Sequence, residues 1–368
     1  VVYPSKVEGS SISLARRYTL ALLDLDGVVY RGANPVEHAA SGIQEATSQG
    51  MRIAYTTNNP SRYPDVVAQQ ISSFGIDAHG DDVITSAMVS AAMLSQRFAQ
   101  GTKVLVIGKD HLKDELAQAG MVIVSSADDE PDVVIQSWYP ELDWNMLAQA
   151  AYAIEKGAQY FVTNRDMTIP REQGIAPGNG ALQLPVIAAT GKEPIASAGK
   201  PEAAMYHQAR HLFSPTDQMV ETEQCLPVGD RLDTDIEAAN RGGYHSAVVL
   251  TGVANAEQII KAEPILRPTY ICADLRGLTV PQPEVEVTSS DDIITFTYRQ
   301  SQAWILDKTV HVKIAGKELS ENIASLDALR AVASAAWEAV DSGRISADEI
   351  ILPRFAAHIL DESVDPAE

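Results

Sequence analysis

The sequence predicts an α/β protein: a doubly wound parallel-sheet core, an α/β unit inserted into it, and a small C-terminal α+β appendage. Three observations carry this reading. Short apolar strands alternate with helical stretches both before and after a second alternating block, and a Val-Pro-Gln-Pro-Glu linker then separates a tail of different pattern. Alternation of this kind implies a parallel sheet covered on both faces.

The elements follow in order. Leu20-Ala21-Leu22-Leu23 is apolar on both parities and ends in Asp-Leu-Asp-Gly, the pattern of a buried parallel strand running into a loop. Ala39 to Gly50 reads as a helix stopped by its glycine, Arg52 to Thr56 as a strand, and Pro64 to Phe74 as a helix closed by Gly75. Downstream the same grammar resumes: a helix from Glu202 to Phe213, a strand from Cys225 to Val228, a helix from Asp233 to Arg241 and a strand from His245 to Leu250. Between these halves lie Lys103 to Ile107, a helix through Ala119, Met121 to Val124, Val133 to Gln136, a helix from Asn145 to Glu155, and Gln159 to Val162. The expected domains are therefore a core of residues 1–99 and 193–281, an inserted α/β unit at 100–192, and an accessory region at 285–368. Within the last, Ile293 to Tyr298 and Val310 to Ile314 alternate as strands, and Leu326 to Val340 is an Ala-rich helix.

Composition narrows the function. Of 368 residues, 45% are hydrophobic and 21% charged, which suits a globular chain, while the formal net charge of −21 repels phosphate backbones and anionic lipid. Nucleic acid and membrane partners are therefore not expected, and an anionic ligand would have to be met by local positive charge. The two cysteines, Cys225 and Cys272, suggest neither a disulfide framework nor a metal motif. Val1 to Arg17 lacks the basic start and apolar block of a signal peptide, so a cytoplasmic location is expected.

Four motifs fall where strands end or helices begin, the ligand-binding edge of a parallel sheet. Asp24 and Asp26, two residues apart, project from one side of an extended segment before Gly27 turns the chain. Thr56-Thr57-Asn58-Asn59 offers hydroxyls, amides and backbone N–H groups suited to phosphoryl oxygens. Gly199-Lys200-Pro201 sets a lysine at an expected helix N-terminus. Asp230, after Gly229, can complete an oxygen-rich magnesium site, and Asp233 and Asp235 follow it.

At these residues the sequence resembles the haloacid dehalogenase superfamily, specifically its phosphatases with a large α/β cap between the second and third motifs. The resemblance runs from Leu20 to about Leu278. It implies that Asp24 is a phosphate-accepting nucleophile, Asp26 a general acid and base, and Thr57 and Lys200 ligands of the phosphoryl group. It further implies Mg²⁺ held by Asp24, the carbonyl of Asp26 and Asp230, with Asp235 behind them. The expected reaction is hydrolysis of a small phosphorylated metabolite through an aspartyl-phosphate, with a homo-oligomer left open. Core plus C-terminal region look similar to actinobacterial glycerol 3-phosphate phosphatases, which makes glycerol 3-phosphate the first substrate expected. Phosphoglycolate, a nucleoside monophosphate, pyridoxal phosphate or a phosphotransferase reaction are the alternatives.

The segment Thr163-Asn164-Arg165-Asp166, continuing to Gly178-Asn179-Gly180, looks like the cap loop that reaches the substrate in this family. Asn164, Arg165 and Asp166 are thus candidates for reading the leaving group, alongside Thr57, Asn58 and Asn59 on the phosphate. His207 and His211, four apart, lack a third ligand and read as an exposed helix face.

Overall fold

The computed structural model describes residues 3–171, 173–290 and 293–364. Its chain divides into two compact units, one of Val1–Ala54, Phe74–Ile76 and Phe213–Glu368, the other of Tyr55–Ser73 and Asp77–Leu212. Among the described residues no helix is long and apolar enough to cross a membrane.

The first unit is built on parallel strands in the order Tyr270–Cys272, Ala247–Val249, Cys225–Gly229 and Leu20–Asp24. Leu20 to Leu23 are at most 1% exposed, which is why the first of these strands is apolar on both parities. The region after the linker continues this unit. Val285–Ser290, Ile293–Tyr298, Ser301–Leu306, Thr309–Ile314 and Lys317–Leu319 form an antiparallel meander in sequence order, followed by the helix Leu326–Asp341. Ser325 caps that helix, its Oγ accepting from the Ala328 N–H at 3.0 Å.

This helix does not stand on the meander alone. Ala333, Ala336 and Trp337 share one core with Val248, Ile259 and Ile271 of the parallel-sheet region, and the Trp337 indole N–H donates to the Ile259 carbonyl at 3.0 Å. The linker is pinned as well. Pro281–Gln282 pairs with Ser10–Ser13, and the Gln282 side chain accepts from Arg330 at 2.9 Å and donates to the Gly277 carbonyl at 2.8 Å.

The second unit holds a parallel sheet in the order Ala196–Ser197, Gln159–Val162, Val133–Gln136, Lys103–Ile107 and Val122–Val124. Tyr55–Thr57 also belongs here, paired with Val83–Thr85. Three local expectations are revised. Gly178-Asn179-Gly180 opens the helix Asn179–Thr190 instead of continuing a loop, because Gly180 lies against the Arg165 backbone and donates its N–H to the Asp166 carbonyl at 2.8 Å. The helix after Lys200 starts at Ala204, since a turn closed by the Glu202 N–H on the Gly199 carbonyl, at 3.1 Å, comes first. The expected helix from Asp233 begins instead as a π-helical turn, Leu232–Ile236, before the α-helix Glu237–Gly242.

Candidate active site

In the first unit, the strand Leu20–Asp24 delivers Asp24, half-buried, to the carboxyl edge of its sheet; Leu25 turns into the core and Asp26 is exposed. The chain then folds back, with the Gly27 N–H donating to the Tyr30 carbonyl at 2.8 Å. Gly27 has φ +81°, and a Cβ there would come within 2.7 Å of the Asp230 carboxyl carbon. Both its left-handed backbone and the closeness of Asp230 require glycine.

Asp230 follows the fully buried strand Cys225–Gly229 and is itself 2% exposed. The loop after Val249 holds it from behind: its Oδ2 accepts from the Val253 N–H at 2.7 Å, and its carbonyl accepts from the Ala254 N–H at 2.8 Å. Gly252 packs so tightly against this carboxylate that a Cβ would overlap it. The π-helical turn sets Asp235 beside these groups, its Oδ2 accepting from the Arg231 N–H at 3.1 Å. One carboxylate oxygen from each of Asp24, Asp230 and Asp235 lies within 4.8 Å of the others. An all-oxygen, triply anionic set of this size suits a hard divalent cation, which would also relieve the repulsion among the three.

In the second unit, Thr57 is 6% exposed and its Oγ1 accepts from the Asn59 N–H at 3.1 Å, while Asn59 Oδ1 accepts from the Ser61 N–H at 2.9 Å. Asn58 clamps the lysine segment. Its Oδ1 accepts from the Lys200 N–H at 2.8 Å and its Nδ2 donates to the Lys200 carbonyl at 2.9 Å. Lys200 is only 2% exposed, with Nζ 6.0 Å from the centre of the Tyr206 ring. Asn58 Nδ2 also reaches the Asp166 carboxylate at 3.2 Å, and the Asn58 carbonyl accepts from Asn164 Nδ2 at 3.0 Å. The structure therefore brings Asn58, Lys200, Asn164 and Asp166 together. Arg165 points outward and donates to the Pro194 carbonyl at 3.1 Å. His207 and His211 are exposed.

Two contributors were not singled out from sequence. The loop Thr251–Ala254 braces Asp230 and, through Thr251 Oγ1, the Gly27 carbonyl at 2.6 Å. Its signal is a Thr-Gly pair immediately after a buried strand. Ser86, whose Oγ donates to the Asn58 carbonyl at 2.6 Å, carries no comparable signal.

Replacing Asn58 with alanine removes both side-chain bonds to the backbone of buried Lys200. A loss of about 1–3 kcal/mol of stability follows. Denaturant unfolding of Asn58→Ala tests this, and a midpoint equal to the wild type would show that the clamp contributes nothing.

A haloacid dehalogenase-like hydrolase family matches residues 21–122, and a HAD-hydrolase-like family matches residues 197–278. Over 337 residues, 89% of this chain and 88% of the relative, the sequence is 37% identical to a D-glycerol 3-phosphate phosphatase of Mycobacterium tuberculosis. It is 32% identical over 261 residues to an acid sugar phosphatase of Staphylococcus saprophyticus, covering 71% of this chain and 96% of that one. The solved structure of the M. tuberculosis glycerol phosphate phosphatase in complex with magnesium superposes with a TM-score of 0.74 at 35% identity, covering 94% of this chain and 95% of that one. The chain belongs to the haloacid dehalogenase-like hydrolases and is a phosphatase of that family, of the subgroup with a large α/β cap.

Proposed function

We propose that this phosphatase hydrolyses glycerol 3-phosphate or a closely similar small polyol phosphate in the cytoplasm, with Mg²⁺, through an aspartyl-phosphate on Asp24. The observation that carries the chemistry is the approach of Asp24, Asp230 and Asp235 within 4.8 Å. The substrate reading is supported by likeness to a D-glycerol 3-phosphate phosphatase over 89% of the chain.

Asp24, Asp230 and the carbonyl of Asp26 would hold the cation, which when bound supplies positive charge that offsets repulsion between a carboxylate nucleophile and an anionic ester. Asp24 attacks phosphorus; the bond to the ester oxygen breaks as that to the Asp24 carboxylate forms, and Asp26 gives its proton to the departing alkoxide. Asp26 then takes a proton from water as the water oxygen attacks phosphorus, freeing Asp24 and inorganic phosphate. Exposure of Asp26 suits this exchange with solvent. Thr57 and Lys200 are assigned the equatorial phosphoryl oxygens. Asp235 fixes the Arg231 backbone and adds negative charge beside Asp230.

We assign specificity to residues 100–192, read as the cap, and within it to Arg165, whose side chain is exposed while those of Asn164 and Asp166 are tied to Asn58. A panel of phosphorylated metabolites assayed with magnesium and with EDTA should rank glycerol 3-phosphate highest and show no turnover in chelator. Arg165→Ala should change kcat/KM ratios within the panel. Uniform loss across substrates would remove Arg165 from specificity, and a glycerol 3-phosphate rate below that of every other ester would reject the substrate. Release of free phosphate in water, with none transferred to an added alcohol, separates hydrolysis from phosphotransfer.

A further inference from the structure

A cavity lies within the first unit, lined by none of the residues assigned to the reaction. It measures about 1170 Å³, a little above the usual range of small-molecule sites. One wall is the loop from Leu250 to Asn255 with the start of the following helix, and the other is the C-terminal stretch Ile350–Leu360. Ile260, Leu352 and Phe355 give it an apolar lining.

The charges around it do not cancel. Its three carboxylates are each engaged by a neighbour on the same wall: Asp274 with Arg276 at 2.7 Å, Glu257 with Lys261 at 2.8 Å, and Glu37 with His38 at 3.6 Å. Arg31, Arg354 and His358 also line the space, and none of these three has a carboxylate partner among the described residues. Arg31 donates to the Thr251 carbonyl, and Arg354 and His358 are exposed on the C-terminal wall. A surplus of arginine and lysine over carboxylates beside apolar side chains, in a chain of net charge −21, is a local inversion of the protein's field.

The wall is also mechanically joined to the catalytic carboxylates. Val253 and Ala254 line the cavity on one side and donate their N–H groups to Asp230 on the other, while Thr251 holds the Gly27 carbonyl. A molecule bridging Arg31 and Arg354 would bear directly on the loop that positions Asp230.

We propose that this cavity is an effector site for a small organic anion, apolar at one end and carrying a phosphate, sulfonate or carboxylate at the other, and that its occupancy alters turnover through the Thr251–Ala254 loop. The test uses 8-anilinonaphthalene-1-sulfonate as probe on the full chain, read by fluorescence, with nitrophenyl phosphate turnover measured in parallel. Saturable binding of one probe per chain is expected. Arg354→Glu and His358→Glu, both on an exposed wall, should each weaken it about tenfold or more, since each places a negative charge against the anion. Lys317→Glu, an exposed charge reversal outside the cavity, should leave it unchanged. Turnover by the wild type should shift at least twofold on saturation, and turnover by Arg354→Glu should not respond at the same probe concentration. Non-saturable binding, or equal affinity in all three variants, overturns the site. Saturable, Arg354-dependent binding with unaltered turnover overturns its coupling to Asp230.

Discussion

Asp24→Asn should yield a folded protein whose turnover is at least about 10⁴-fold below the wild type, the scale on which removal of a covalent nucleophile is felt. The amide keeps the shape of the side chain but cannot form the acyl-phosphate. It lies at the end of a strand whose preceding residues, Leu20 to Leu23, are wholly buried, so the fold has no reason to change. A second readout separates the nucleophile from a merely structural group. In EDTA the carboxylates of Asp24, Asp230 and Asp235 repel one another across distances of at most 4.8 Å, so removing one charge should leave the metal-free variant melting no lower than the wild type. Residual phosphatase activity in a preparation free of wild-type enzyme, or a large fall in melting temperature in EDTA, would reject the assignment.

Asp26→Asn should slow hydrolysis of an alkyl phosphate by roughly 100- to 10,000-fold, the range for loss of a positioned general acid and base. Its side chain is exposed while Leu25 beside it is fully buried, so the substitution touches chemistry and leaves packing alone. The loss should be smaller for nitrophenyl phosphate, because nitrophenolate departs without needing a proton. Measuring kcat on both esters settles the role, and equal losses would mean that Asp26 acts on something other than the leaving group.

Much of this was legible in the sequence because strand ends in a parallel sheet are marked twice, by an apolar run and by the polar residues that stop it. Leu20 to Leu23 followed by Asp24 and Asp26, and Cys225 to Gly229 followed by Asp230, show this pattern plainly. What escaped had weaker signals. Ser86–Ser95 is a helix with buried residues around much of its circumference and little polar face, so no 3.6-residue stripe announces it. Val285–Ser290 is an edge strand of the meander with largely exposed side chains, which removes the in–out alternation that its neighbours show. The helix Asn179–Thr190 was masked by two glycines at its start and by Pro185 inside it, residues that ordinarily signal loop. The place of Asp235 depends on a π-helical turn, and an irregularity of one residue in a helix leaves no trace in hydrophobic periodicity.

The shared core under the helix Leu326–Asp341 bears on how such a chain could have been assembled or cut down. The staphylococcal acid sugar phosphatase matches 71% of this chain over 96% of its own length, so the family's chemistry is found in shorter proteins. Here Val248, Ile259 and Ile271 are buried in the same core as Trp337 and Ala333, and the Ile259 carbonyl is occupied by the Trp337 indole. A polypeptide stopped at Glu284 would therefore not be a smaller enzyme. It would present a wet apolar face beside its own catalytic loop, a sticky intermediate prone to aggregation and proteolysis. The C-terminal region is thus as much a part of this core as the strands it covers.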